Sequence, residues 1–268
     1  MDLITAFLLG ILQGITEWLP ISSSGHLALV QNTFSLDVPV VFDIFLHLGT
    51  LAAVCVVYRK DIIAMLQALL RLDFKSKEFQ LILFIILAMI PTAIIGFTFK
   101  SFFESMFKSN LQIGIALIIT GIILYLASTI ASRIKSTGKP LSAISAFIIG
   151  IFQGIAVAPG ISRSGTTISA GLLQGISAKE AAKFSFLLSI PAVLGAAAFE
   201  VKDMAKSSVS IDWIPFLLGA VIAAIIGYFA IKFLLKLLEE KKFQWFAYYC
   251  WIIGIIVIIV IIFSSIKI

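Results

Sequence analysis

Charge is what this sequence has least of. Of its 268 residues only 13% are Asp, Glu, Lys or Arg, where a soluble domain carries about 25%. Hydrophobic residues make up 60%, and the mean hydropathy is +1.12. This balance excludes a soluble enzyme and a disordered chain. The formal net charge of +6 sits outside the apolar runs, so it reads as topology signal and lipid-surface contact; no nucleic-acid partner is expected. Cysteine is equally scarce: Cys55 and Cys250 each lie inside an apolar run, which suits packed free thiols better than a disulfide framework. No cleaved leader is expected, because Asp2 and no Lys or Arg precedes the first apolar stretch. What the chain does have is long apolar runs, and they predict an integral membrane protein of all-α class.

About 20 apolar residues span a bilayer as a helix. Runs of that length fall near residues 38–58, 79–99, 110–131, 179–200, 212–234 and 243–264, with Pro91 and Pro191 inside two of them. Bundled membrane helices tolerate such prolines. The stretches 2–34 and 142–175 differ. Each is broken in its middle by Pro, Ser and Gly, as WLPISSSGH in the first and APGISRSGTT in the second. The halves, about 15–17 residues, are short for a span, and the breaks carry ionisable side chains. Both features predict re-entrant helix–loop–helix pairs lining a polar cavity.

The two broken stretches are copies of one another. Shifting residues 10–25 by 140 positions gives nine identities in sixteen: Gly10, Ile11, Gln13, Gly14, Ile15, Ile21, Ser22, Ser24 and Gly25 recur as Gly150, Ile151, Gln153, Gly154, Ile155, Ile161, Ser162, Ser164 and Gly165. A weaker echo pairs AIIG at 93–96 with AIIG at 224–227. The expected architecture is one membrane domain of two repeats, 1–131 and 142–264, each a re-entrant pair followed by three spans. An odd number of spans per copy makes the copies enter from opposite faces, an inverted-topology repeat. With both termini outside, the inner segments 59–78, 132–141, 176–183 and 232–244 hold fourteen of the twenty Lys and Arg. The outer side holds five, Lys100, Lys108, Lys202, Lys206 and Lys267, and Arg163 belongs to the second break. That bias satisfies the positive-inside rule. The stretch from Lys60 to Phe74 is expected to lie in the inner interface.

Ionisable groups at membrane depth are costly and mark function. Here they are Glu17, His26, Asp43, His47 and Arg163. The repeats differ where a composite site would need them to: Glu17 becomes Val157, Ser23 becomes Arg163 and His26 becomes Thr166. One break supplies acid, hydroxyl and imidazole, the other a guanidinium among hydroxyls. Ser22, Ser23, Ser24 and Gly25 lead into one short helix, and Ser162, Ser164, Gly165, Thr166 and Thr167 into another, so backbone N–H groups and two helix dipoles converge on an anion. Arg163 can grip phosphate oxygens through two parallel N–H bonds. Gln13 lies one turn from Glu17, which can serve as general base or hold a divalent cation such as magnesium or calcium. His26 can move a proton or attack phosphorus. Asp43, His47 and Gln153 are expected in supporting positions. No organic cofactor is expected.

The run QGITEWLPISSSGH resembles the first signature of the undecaprenyl-diphosphate phosphatase family, the bacitracin-resistance proteins. PGISRSGTT is similar to its second signature, and FDIFLHLGT to the segment between them. The resemblance covers essentially the whole chain. It implies an enzyme of the plasma membrane that removes the terminal phosphate from a polyprenyl diphosphate, with a site opening to the extracytoplasmic side. The family's functional residues fall on Gln13, Glu17, Ser23, His26, Ser162, Arg163 and Thr167. Gln at position 13 departs from a two-carboxylate arrangement. Ser23, His26 and water all stay open as the nucleophile, and a homodimer is compatible with this arrangement. The rival from another class is a polyprenyl-phosphate flippase or anion transporter, since inverted repeats with midplane sites are also transporter traits.

Overall fold

The structure, a computed structural model, describes residues 1–133, 138–204 and 213–266. Lys135, Lys206 and Lys267, which contribute to the charge bias, lie outside them. The described residues form twelve helices. The first half holds α1 (Leu3–Trp18), α2 (Ser23–Thr33), α3 (Val40–Val57), α4 (Arg59–Leu70), α5 (Lys77–Thr98), α6 (Lys100–Phe107) and α7 (Asn110–Arg133). The second holds α8 (Ala143–Ile155), α9 (Arg163–Leu173), α10 (Ala178–Met204), α11 (Trp213–Glu239) and α12 (Trp245–Ile266). Six of them, α3, α5, α7, α10, α11 and α12, are long and apolar enough to cross a membrane. The chain is thus an all-helical, multi-pass membrane protein. The short helix α6 was not expected from the sequence. Its signal is a buried Phe103 and Met106 one turn apart beside the exposed Lys100, Glu104 and Lys108.

Helix starts follow the capping residues. Asp2, Ser22, Ser76, Ser142 and Ser162 each accept, through a side-chain oxygen, the N–H three residues on, satisfying donors that the first turn leaves free. The Thr5 N–H also holds the Asp2 carboxyl below the usual carboxylate range. Both breaks are therefore built alike: the incoming helix stops at Trp18 or Ile155, and a serine cap starts the next one at Ser23 or Arg163. These four helices run 16, 11, 13 and 11 residues, all shorter than a span.

Packing is crossed between the halves. Helix α1 lies on α11 and α8 on α5. A Cβ on Gly10 would sit 2.7 Å from the Gly219 carbonyl oxygen, and one on Gly14 2.7 Å from Ile226 Cβ. At the repeat-related positions, a Cβ on Gly150 would run into the Ala88 carbonyl, and one on Gly154 would sit 2.8 Å from Ile95 Cβ. Ile95 and Ile226 are the matching residues of the two AIIG segments. The third spans, α7 and α12, meet at Gly114 and Gly254, themselves 140 positions apart (254 − 114), where a Cβ on Gly254 would lie 2.7 Å from the Gly114 carbonyl oxygen. Small residues at these crossings let backbones approach, which is how apolar helices gain contact in lipid.

Trp18, Leu124, Ile149, Ile168, Phe184 and Phe186 fill the centre behind the two breaks, with Trp18 edge-on to Phe186 at 5.4 Å between ring centroids. Outward faces stay apolar, as Ile252, Ile255, Ile259 and Phe263 show on α12. In water such a surface would aggregate; in a bilayer it is the expected one.

Candidate active site

The two breaks meet. Ser22 Oγ accepts the Gly25 N–H of its own helix at 3.3 Å and the Gly160 N–H of the other break at 3.1 Å. Ser164 Oγ donates back to the Leu19 carbonyl at 3.2 Å. A Cβ on Gly25 would lie 2.9 Å from Gly160 Cα, and one on Gly165 2.9 Å from Pro20 Cβ. Both pairs join repeat-related positions, so only glycine there allows the breaks to close on each other. Ser22 adopts φ +68°, a strained conformation for a residue with a side chain, and its two accepted hydrogen bonds hold it there.

Glu17, in the last turn of α1, is the hub. Arg163 Nη2 donates to its Oε1 at 2.5 Å. Ser23 Oγ donates to Oε2 at 2.5 Å and Gln13 Nε2 to the same oxygen at 3.0 Å. His47 Nε2 approaches Oε2 at 3.5 Å. Four helices, α1, α2, α3 and α9, thus deliver side chains to one carboxylate. A buried carboxylate at this depth needs such partners, because desolvation otherwise disfavours its charge. Arg163 also lies over the Trp18 ring, 5.0 Å from its centroid, and its Nη1 has no partner.

Beside this cluster opens a cavity of about 450 Å³, the size of a small-ligand site. Glu17, Ser22, Ser23, Ser24, Ser162, Arg163, Asp43 and His47 line its polar part. Leu27, Val40, Ile44, Phe107, Val157, Ile161 and the small residues Ala192, Val193, Ala196 and Ala197 of α10 make the rest apolar. Gln31 Nε2 donates to both carboxylate oxygens of Asp43, at 3.0 and 3.3 Å.

Several residues singled out in the sequence lie elsewhere. His26 does not line the cavity. Its Nδ1–H donates to the Ser22 carbonyl at 2.8 Å, and Nε2 accepts from the Tyr249 hydroxyl at 2.9 Å. Both ring nitrogens are thereby engaged, and the Tyr249 ring stacks on the imidazole at 5.7 Å. Thr167 Oγ1 is tied to the Arg163 carbonyl at 2.8 Å and shares a hydrogen with Ser185 at 2.6 Å. Ser164, Gly165 and Thr166 are buried behind the wall, with Gly165 N–H on the Ser162 cap at 3.1 Å. Gln153 occupies the place of Gln13 in its own repeat but faces Val157 where Gln13 meets Glu17. It donates instead to Thr92 at 3.4 Å. The sequence alone did not reveal Gln31 or the α10 wall: α10 is small-residue rich at 192–197, but periodicity does not tell which of its faces borders a cavity.

A cation held in a cage of protein ligands does not fit this cluster. Both Glu17 oxygens are taken, and no group of three or more His, Cys, Asp or Glu able to hold a metal occurs among the described residues.

Proteins of known family resemble the whole chain. A protein of Carboxydothermus hydrogenoformans named undecaprenyl-diphosphatase is 44% identical over 263 residues, covering 97% of both chains. Bearers of the same name from Halothermothrix orenii and Methanobrevibacter smithii are 42% and 43% identical, each covering at least 96% of this chain and at least 97% of its own. Residues 6–256 match the family described as bacitracin resistance protein BacA. With that match spanning both breaks and all six candidate spans, the chain belongs to the bacitracin resistance protein BacA family.

Proposed function

We infer that this protein hydrolyses undecaprenyl diphosphate to the monophosphate and inorganic phosphate, returning the lipid carrier to cell-wall or glycan synthesis. The family and its relatives' names support the activity. The observation that carries it is the Glu17 carboxylate, which binds the Arg163 guanidinium on one oxygen and the Ser23 hydroxyl on the other, at the polar end of a half-apolar cavity. A protein that only carried the lipid would need no hydroxyl seated on a carboxylate.

The diphosphate enters the polar end while the first isoprene units lie along Val40, Ile44 and the α10 wall. Arg163 turns part of its planar fork from Glu17 to the terminal phosphate, with Ser162 and Ser24 beside it, and neutralises charge as it spreads over the phosphoryl oxygens. Glu17 takes the Ser23 proton as Ser23 Oγ attacks phosphorus. Ser23 starts α2, so the helix N-terminus stabilises the developing oxyanion. His26, clamped between the Ser22 carbonyl and Tyr249, fixes the strained cap rather than reacting. A magnesium or calcium ion arrives with the diphosphate and stays on its oxygens; no step here passes through it.

The arrangement in the membrane follows from the repeat. The helix pairs α1–α2 and α8–α9 are re-entrant, entering from opposite faces, with both termini outside. The crossed glycine contacts between repeat-related positions support this, as does the charge bias. In that frame Val40 and Phe107 lie at outer helix ends, so the cavity opens to the extracytoplasmic side.

The test is phosphate release from undecaprenyl diphosphate by purified protein in detergent micelles, where no membrane exists to be crossed. Turnover that Ser23→Ala abolishes is the expected result. A purified, folded protein that binds the lipid and releases no phosphate would instead support the flippase.

A further inference from the structure

We propose that His47, not His26, is the catalytic imidazole, and that it carries the protons of both halves of the reaction between Glu17 and the cavity. The proposal rests on the hydrolase reading above and assigns a role that the signature serine, glutamate and arginine leave open. An attack by Ser23 places a proton on Glu17, and that proton has to leave before the next one comes. Glu17 is 8% exposed and ringed by Gln13, Ser23 and Arg163, so it cannot exchange freely with water. Of the chain's two histidines, His26 has both nitrogens bonded and lines no part of the cavity. His47 does line it, with 30% of its side chain exposed and Nε2 3.5 Å from Glu17 Oε2.

The ring is oriented for this work. Its Nδ1–H donates to the Asp43 carbonyl one turn back, at 2.7 Å. That fixes the tautomer and leaves Nε2 as the nitrogen where a proton comes and goes. Thr50 and the Asp43–Gln31 pair hold the same face of α3: Thr50 Oγ1 donates to the His47 carbonyl at 2.9 Å, and Gln31 clasps the Asp43 carboxylate. Glu17, Asp43 and Arg163 are the charged groups facing the ring; α10 and α6 add only Ala, Val and Phe to the cavity there.

Two steps balance. In the first, Ser23 Oγ bonds to the terminal phosphorus and the bridging P–O bond breaks, its electron pair leaving with the lipid monophosphate. The hydroxyl proton passes to Glu17, then to His47 Nε2 and out to cavity water. In the second, a water oxygen bonds to phosphorus and the Ser23 Oγ–P bond breaks. His47 takes one proton from that water, and Glu17 relays it to Ser23 Oγ as inorganic phosphate departs.

The second step distinguishes His47 from a packing residue, because its loss should strand the phosphoserine. The experiment uses full-length protein in micelles with undecaprenyl diphosphate labelled in its terminal phosphate, comparing wild type, His47→Gln and His47→Ala. We expect kcat to fall about a hundredfold. Acid-stable label should build up on Ser23 towards one per chain, and added imidazole should restore part of the His47→Ala rate. Near-normal kcat in His47→Gln overturns the proposal. So does a loss of kcat in either variant with neither label on Ser23 nor rescue by imidazole, which is what a structural role or misfolding gives. Wild type that releases no phosphate would defeat the hydrolase reading itself, a result separate from these.

Discussion

At the scale of single residues, the site depends on shape as much as on charge. Arg163 holds Glu17 through Nη2 and leaves Nη1 without a partner, which is the geometry of a fork waiting for a second acceptor. Lysine keeps the charge and loses the plane. Arg163→Lys should therefore lower kcat/KM about tenfold or more with the thermal unfolding midpoint little changed; turnover close to wild type would remove Arg163 from phosphate binding. The Ser23 and His26 positions should separate in the same assay. Ser23→Ala should abolish turnover, because Glu17 would have no hydroxyl to deprotonate. His26→Gln should keep a measurable rate, since an amide can still donate to the Ser22 carbonyl and the helix N-termini survive. Tyr249→Phe should be milder again, removing only the hydroxyl at 2.9 Å from His26 Nε2. A Tyr249 variant as inactive as Ser23→Ala would mean that His26 does chemistry.

At the scale of helices, close backbone approach decides which glycines matter. A Cβ on Gly150 would strike the Ala88 backbone, whereas one on Gly195 would meet nothing within 4 Å. Overpacking at a fixed crossing costs about 1–3 kcal/mol, and in an unstrained helix alanine is preferred over glycine. Gly150→Ala should thus lower the detergent-phase unfolding midpoint clearly, and Gly195→Ala should leave it equal or raise it slightly. Equal midpoints for the two would mean that α8 and α5 do not cross as closely as described. The repeat predicts one further equivalence: Gly10→Ala, at the matching α1–α11 crossing beside Gly219, should destabilise in the same direction.

For the whole molecule, the arrangement in the bilayer is the feature to test. With Cys55 and Cys250 replaced, a cysteine at Glu104 on α6 should react with an impermeant thiol reagent in intact cells. Cysteines at Lys75 and Gly138 should react only after the membrane is opened. All three side chains are exposed in the fold, so burial cannot explain a failure to label. Labelling of all three from one side would rule out the inverted repeat with both termini outside. The inner-face pair of Lys183 and Asp61, at 2.5 Å, would then also face the wrong way for the charge bias.

Much of this protein was legible before any coordinates. Hydropathy gives the class and the long helices, because in lipid a chain must satisfy its backbone internally and only apolar helices of sufficient length do so. The repeat of residues 10–25 at 150–165 marks both breaks, and the divergence of Glu17, Ser23 and Arg163 within it picks out the side chains that meet. The serine caps Ser22 and Ser162 are local features, legible because a cap acts over three residues. Tertiary structure decided which of the expected groups share a cavity. His26 and His47 are both imidazoles near a break, and only packing shows that Tyr249, 223 positions away in sequence, seals His26 while His47 faces Glu17. Thr167 faces Ser185, Gln153 faces Thr92, and the α10 wall closes the cavity, each through contacts between distant segments. The physical reason is one of range: capping, periodicity and hydropathy act within a few residues and leave their mark in the sequence, whereas a side chain's partner across a helix crossing depends on the rotation of both helices.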